Sequence, residues 1–568
     1  MNTLLTALLL AVVAGNHPVP DPLLHVASPD WRDQVIYFAL IDRFDDGDPS
    51  NNDQGAGVYD PDDHRRYSGG DLAGLARRLD YLQALGATAL WITPPVANQW
   101  WNGRYGGYHG YWARDFTAVD PHYGSLDDYR ALSDRLHRAG MYLVQDVVFN
   151  HTGDYFGYDG HDPTDPAAGW RPTPGSVPVT APTQWPFSLN DPRDPAQRQA
   201  NIYHWTPELA DHGDRDQELH HQLMGLDDLA TGNAVVRRAL RRSYAHWITE
   251  VGVDAFRVDT ALHMAPDDLR DLFHNDDADV PGLQAVARAT GREGFMAFGE
   301  GFAIDPPFGE AQARRIEGYV TDAQGRPVLD AMINFPLYGA LNDVFARGSP
   351  PAELADRIQR MMRVHADPHR MPTFVDNHDV DRFLAHGDET GLRQALLALM
   401  TLPGIPVVYY GTEQGFDQRR ASMFAAGWGS GGRDHFDTAH PMFGYTAALI
   451  ALRLGNRAFT RGTPWPLHAD SRGPGLLVWR MDHAGEAWLV AINTADSERA
   501  ARMPSGLAPG TVLEARLDVL PPSDAPTVDA QGALEVVLPP RGSAVWQARG
   551  DAHAPAAQAL EPLRLAPR

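Results

Sequence analysis

The sequence predicts an α/β protein: a (β/α)8 TIM barrel with an inserted subdomain after strand 3 and a C-terminal antiparallel β-domain. Three observations carry this expectation. Eight short apolar runs recur with helix-length segments between them, one interval is far too long for a loop, and the texture changes after Asn456.

The runs span residues 35–41, 87–93, 141–149, 253–258, 295–299, 328–334, 373–375 and 405–410. Short continuous apolar segments bounded by polar punctuation suit strands buried on both faces. Helical periodicity fills intervals such as 72–85 and 126–139. Repeated strand–helix alternation is the signature of a barrel whose chemistry sits at the C-terminal strand ends. The long interval, between residues 149 and 253, is rich in Pro, Gly, Asp and His. A connection of that size is functional or forms a subdomain of its own. After Asn456 short alternating strands with Gly, Pro and Asp turns take over, as in GLLVWRMDHAGEAWLVAINTA. The division expected is barrel 28–149 and 233–455, insert 150–232, β-domain 456–549, and a disordered Ala- and Pro-rich tail 550–568.

Composition narrows the function. The chain has 568 residues, a net charge of −25, 43% hydrophobic content and no cysteine. It has no lysine either, so all basic charge is arginine. A chain this acidic is not expected to bind nucleic acid or an anionic membrane, and it can form no disulfide or thiolate metal site. An apolar run at 4–13 is too short to span a bilayer. It reads as the core of a signal peptide over 1–15, or as a buried N-terminal helix, and the first reading implies secretion to the extracellular or periplasmic space. No anchor is expected elsewhere, and the expected state is a monomer.

The strand ends collect polar residues. The third run ends in DVVFNH, with Asp146, Asn150 and His151, and the fourth reads GVDAFRVDTALH, with Arg257, Asp259 and His263. The fifth ends in FGEG at Glu300, and the seventh in FVDNHD, with Asn377, His378 and Asp379. Residues i and i+2 of a strand share a face, so Arg257 and Asp259 project together, and the guanidinium is expected to keep that carboxylate ionised. Taken alone, the pair is an ordinary buried salt bridge. Acidic groups converging from three strands cost stability, which points to function.

These motifs, with GLDDL around Asp228 and GYHGYWARDF over 107–116, resemble the α-amylase superfamily, glycoside hydrolase family thirteen, in order and spacing. The resemblance covers about residues 31 to 550. It implies that Asp259 is the nucleophile, Glu300 the general acid/base, and Asp379 the carboxylate that binds sugar hydroxyls and supports the charged transition state. His151 and His378 would hydrogen-bond the reacting sugar and Tyr111 would stack beneath it, with Arg257, His109 and Trp112 completing the substrate site. A retaining glycosidase sets its two carboxyls about 5–5.5 Å apart, one ionised and one protonated. The substrate implied is an α-1,4-glucan such as starch, glycogen or maltooligosaccharides. Transglycosylating relatives of the cyclodextrin glycosyltransferase or cyclomaltodextrinase type are the alternative, and a non-catalytic carbohydrate-binding relative is disfavoured because all three carboxylates are present. The cyclodextrin-forming relatives usually carry further C-terminal domains, and this chain is expected to have one.

The resemblance also implies Ca²⁺. One site would use Asn150, Asp228 and the backbone carbonyl of His263, and a second would use Asp46, Asp48, Asn51, Asn52, Gly69 and Asp71. The second stretch equally suits an Asx-turn loop. The family's Lys before the fourth-strand His is Leu262 here, so contacts on the leaving-group side are expected to differ. The paired Trp100 and Trp101 fit a sugar platform or loop packing.

Overall fold

All eight apolar runs become parallel strands of one sheet: β1 (Ile36–Ala39), β2 (Ala89–Ile92), β3 (Tyr142–Val147), β4 (Ala255–Val258), β5 (Met296–Gly299), β6 (Ala331–Met332), β7 (Pro372–Thr373) and β8 (Ile405–Tyr409). The computed structural model describes residues 22–160, 162–517, 520, 524–549 and 563–565. The strands follow the order β6-β5-β4-β3-β2-β1-β8-β7. The seam between β6 and β7 is bridged where Asn334 N–H donates to the Pro372 carbonyl at 2.9 Å. Nearly every residue of these strands is buried, as expected for a sheet covered on both sides.

Helix ends are closed by their own chemistry. Ser125 and Asp128 form a reciprocal capping box at the start of Leu126–Arg138. The end of Glu389–Thr401 is satisfied from outside, because buried Arg453 donates to the carbonyls of Met400 and Leu402 at 2.9 and 3.0 Å.

Two excursions build a wall above the C-terminal strand ends. One follows β2 and pairs Val96–Asn98 with Ala113–Val119. The other is the insert, with Phe156–Tyr158 paired to Trp170–Pro172 and the helices Pro195–Ala200 and Arg215–His220. The two are joined, since Trp101–Asn102 pairs with Ser176–Val177. Trp100 and Trp101 are partly buried against the barrel core. Trp100 donates to Asp120 at 3.1 Å and Trp101 lies 4.5 Å beneath the Arg66 guanidinium.

The C-terminal region opens with a helix, Arg457–Arg461, and its first strand begins only at Thr463–Ala469. Its five-stranded sheet has two apolar faces. Trp479, Met481, Trp488, Val490 and Ile492 join the barrel core, while Val478, Leu489, Ala491 and Trp546 pack on the two-stranded ribbon through Leu534, Val536 and Leu538. The predicted signal peptide lies outside the described residues, as does most of the tail. Residues 563–565 are described and depart from expected disorder: the Leu563 carbonyl accepts from Gln359 at 3.3 Å and Leu565 packs partly buried on the barrel. Among the described residues no helix is long and apolar enough to cross a membrane.

Candidate active site

Parallel register brings the chemistry together. Arg257 on β4 lies beside Asp146 on β3 and Phe298 on β5. Its Nη1 donates to both Asp146 oxygens at 2.9 and 3.0 Å and to Asp259 Oδ1 at 2.7 Å. Its Nη2 lies 3.9 Å from Glu300 Oε2 and 3.9 Å from Asp379 Oδ2. One buried guanidinium therefore organises four carboxylates. Asp146 also accepts from the Tyr111 hydroxyl at 2.8 Å and from Trp91 Nε1 at 3.2 Å, and so orients both Arg257 and Tyr111.

Local backbone geometry aims the other groups. Asn377 Oδ1 accepts the amides of Asp379 and Val380 at 2.8 and 3.2 Å, an Asx turn that presents the third carboxylate. Thr260 is held at φ 47°, and its N–H donates to Glu300 Oε2 at 3.0 Å. His378 Nε2 stands 3.3 Å from Asp379, and its ring stacks on Tyr111 with centroids 5.3 Å apart. His109 lies near-parallel to Tyr111 with ring centroids 5.7 Å apart and meets Trp112 edge-on. His151 is buried with both ring nitrogens unpartnered, as is Nδ1 of His378. A buried imidazole left without partners beside a carboxylate cluster suits a ligand that brings hydroxyls.

Sequence reasoning missed Arg420. It comes from the loop after β8, donates to the His378 carbonyl at 3.1 Å and places Nη2 3.6 Å from Asp379 Oδ1. A polar loop arginine carries no periodic or motif signal that would have found it. Leu262 is also resolved. It is only 4% exposed and packs against Gly301, where an added Cβ would fall 2.8 Å from its Cγ. The side chain is thus buried against the backbone that follows Glu300.

The electrostatics separate the carboxyls. Burial, then the charges of Asp259 and Asp379, push Glu300 up to about 8 against the pull of Arg257. Burial acts on Asp379 as well, but His378, Arg420 and Arg257 together hold it below its usual range. Asp259 corrects the expectation from sequence. Burial, aided by Asp379, raises it despite Arg257, whose charge is shared with Asp146. Burial takes His151 and His378 down to about 3, so both are neutral imidazoles at ordinary pH.

The cation candidates differ in how free their oxygens are. In the loop at 46–52, Asp46 Oδ1, Asn51 Oδ1 and Asn52 Oδ1 are buried and have no hydrogen-bond partner. Gly69 closes on them, since a Cβ there would sit 2.5 Å from Asn52 Nδ2. Asp71 shapes the loop by accepting from Gly47, Asp48, Gly74 and Asn51. The exposed Asp48 side chain instead caps the turn Pro49–Asn51 through Ser50. Orphaned neutral and carboxylate oxygens are the donor set of a hard cation. At the other candidate, Asp228 already accepts from Asn150 at 3.1 Å and lies 2.5 Å from His204 Nδ1, while the His263 ring meets the Glu218 carbonyl at 3.0 Å.

Comparisons with known proteins agree with this geometry. The family profile for the alpha amylase catalytic domain matches residues 38–442. The chain is 32% identical over 570 residues to an alpha-amylase of Streptomyces lividans, covering 88% of this chain and 58% of that protein, so it spans less than two thirds of that relative. It is 30% identical over 528 residues to a cyclomaltodextrin glucanotransferase of Klebsiella oxytoca, covering 85% of this chain and 74% of that one. A crystal structure of a cyclomaltodextrin glucanotransferase with a three-domain ABC distribution superposes with a TM-score of 0.75 at 25% identity, over 91% of this chain and 99% of that one. That likeness removes domain number as a way to tell hydrolase from transferase. The matched span runs from β1 through most of the barrel and includes the whole insert and every strand-end carboxylate, and on that ground the chain belongs to the alpha-amylase family.

Proposed function

We propose that this chain is a retaining glycoside hydrolase that cleaves α-1,4-glucosidic bonds in starch, glycogen or maltooligosaccharides through a covalent glycosyl-enzyme. One observation carries the reading: three carboxyls around Arg257 are driven to different protonation. Glu300, up at about 8, keeps a proton, while Asp379 gives its own up. Asp259 and Glu300 compete for that single proton. Arg257 donates directly to Asp259 at 2.7 Å but stands 3.9 Å from Glu300, so the proton resides on Glu300.

The steps follow from that split. Asp259 attacks the anomeric carbon as the glycosidic C–O bond breaks, and Glu300 transfers its proton to the departing oxygen. The deprotonated Glu300 then takes a proton from water, which attacks the same carbon and releases Asp259. Asp379, steadied by Arg420 and His378, stabilises positive charge on the ring. Tyr111 presents an apolar face to the sugar's C–H side, and neutral His151 and His378 meet its hydroxyls.

A bound Ca²⁺ is part of this reading. Asp46, Asn51, Asn52 and the loop closed by Gly69 and Asp71 would hold it, where it would be coordinated by the orphaned oxygens and rigidify the loop. Asn150, Asp228 and the His263 carbonyl remain the other candidate set. Secretion and a monomeric state complete the proposal; the apolar run at 4–13 supports the first.

A transglycosylating role is the second reading, favoured by the Klebsiella relative and the three-domain transferase. Product chromatography from soluble starch, maltoheptaose and cyclodextrin separates the two. Mixed linear oligosaccharides appearing early mark the hydrolase, and cyclic or elongated products the transferase. In the same assay Asp259→Asn lowers turnover by roughly 10⁴-fold. Activity within a few-fold of the unmodified chain would remove Asp259 from the nucleophile's role.

A further inference from the structure

The turn after the nucleophile is strained and has to be held. Thr260 is β-branched yet sits at φ 47°, a conformation that persists only where its surroundings over-determine it. From the barrel side it is held by three amides: Asp259 N–H to the Val147 carbonyl, Ala261 N–H to the Glu300 carbonyl, and Thr260 N–H to the Glu300 carboxyl.

The far side is gripped by the insert. Arg215, from the short helix Arg215–His220, donates to the Leu262 carbonyl at 2.7 Å and to the Tyr319 hydroxyl at 2.5 Å. Tyr319 in turn donates to the Met264 carbonyl at 2.8 Å. Glu218, on the same helix, accepts from both Arg215 and Arg315 at 2.5 Å and offers its backbone carbonyl to the His263 ring at 3.0 Å. Arg315 belongs to the barrel helix Ala311–Glu317, so the ion pair ties the insert to the barrel beside the turn.

We infer that Arg215 and Glu218 are positioning residues: this ion-paired latch holds the 260–264 turn in its strained form, so that the Thr260 amide places Glu300 for proton donation. Neither side chain touches the sugar in this scheme. The latch acts through the turn, and the inference rests on Glu300 being the general acid.

The test compares two substrates for Glu218→Gln, which keeps the side-chain volume but loses the charge that both arginines grip. α-Maltosyl fluoride has a leaving group that needs little protonation, whereas maltoheptaose needs the acid. With the latch acting through Glu300, kcat/KM on maltoheptaose, which reports the step that needs the acid, falls by ~10-fold or more while kcat/KM on the fluoride changes by less than about threefold. Arg215→Lys, which keeps one cationic donor, recovers most of the loss seen in Arg215→Ala. Equal losses on both substrates, or no loss on either, would overturn the inference whatever happens to Tm. Failure of the unmodified chain to turn over either substrate would instead overturn the glycosidase reading itself.

Discussion

In the proposed mechanism Glu300 combines a catalytic proton with a stability penalty, and both are measurable. The active form has Glu300 protonated and Asp379 ionised, so kcat/KM falls as pH rises through about 8, where Glu300 loses its proton. Glu300→Gln removes that alkaline limb along with most of the activity. The same shift works on stability. A carboxyl held at about 8 when folded, but at its ordinary value when unfolded, binds more protons in the native state between those limits. Its stabilising contribution is present below the unfolded pKa and is lost as pH rises through the folded one. Glu300→Gln is therefore more heat-stable than the unmodified chain at pH 8, and the gain shrinks towards pH 5. Equal Tm differences at both pH values would show that burial does not hold that proton. Arg257, Asp259, Glu300 and Asp379 were all legible as strand-end residues. Arg420 was not, because its place beside Asp379 is set by the path of a long loop rather than by any pattern within it.

The loop at 46–52 and the helix Leu72–Arg77 behave as one element, since Asp71 caps that helix while fastening the loop's backbone amides. Two outcomes follow. Excess chelator lowers Tm by several degrees in the unmodified chain and by much less in Asn52→Ala, which lacks one of the three orphaned oxygens. An unchanged Tm in the unmodified chain would argue against bound Ca²⁺. Gly74→Ala has a steric cost, because its Cβ would fall 1.9 Å from the Asp45 carbonyl oxygen. That contact destabilises by about 1–3 kcal/mol, read from denaturant midpoints. The D-x-D-x-x-N-N spacing alone could not separate a cation loop from an Asx-turn loop. In the structure the Asp48 side chain serves the turn, while Asp46 Oδ1, Asn51 Oδ1 and Asn52 Oδ1 have no hydrogen-bond partner.

The C-terminal domain is bound into the molecule rather than appended to it. Trp479, Trp488, Val490 and Ile492 share a core with the barrel, and Gln394 donates to the carbonyls of Asn493 and Arg541 at 2.9 and 3.0 Å. Cutting the chain after Gly455 would expose that apolar face, with each large side chain losing about 1.5–3 kcal/mol of burial. The truncated barrel is expected to aggregate on expression and to bind a hydrophobic dye. A soluble, monomeric and active fragment would show that the shared core is dispensable. The alternation in GLLVWRMDHAGEAWLVAINTA predicted a separate antiparallel β-domain. It could not say that the sheet would bury two apolar faces, one against the barrel and one against its own ribbon.

The sequence by itself determined the barrel, because strand–helix alternation and buried apolar runs are local properties of the chain. It also determined which carboxylates stand at the strand ends, since the period of a strand decides which side chains share a face. Only the tertiary structure decided how those groups are tuned. Burial raises Asp259 despite its arginine, lifts Glu300 far enough to keep a proton, and leaves Asp379 low through His378 and Arg420. Likewise, the contacts of Arg215 and Glu218 with the turn after Asp259 join residues more than forty positions apart. Desolvation and long-range contact depend on what the rest of the chain brings near, and no local pattern encodes either.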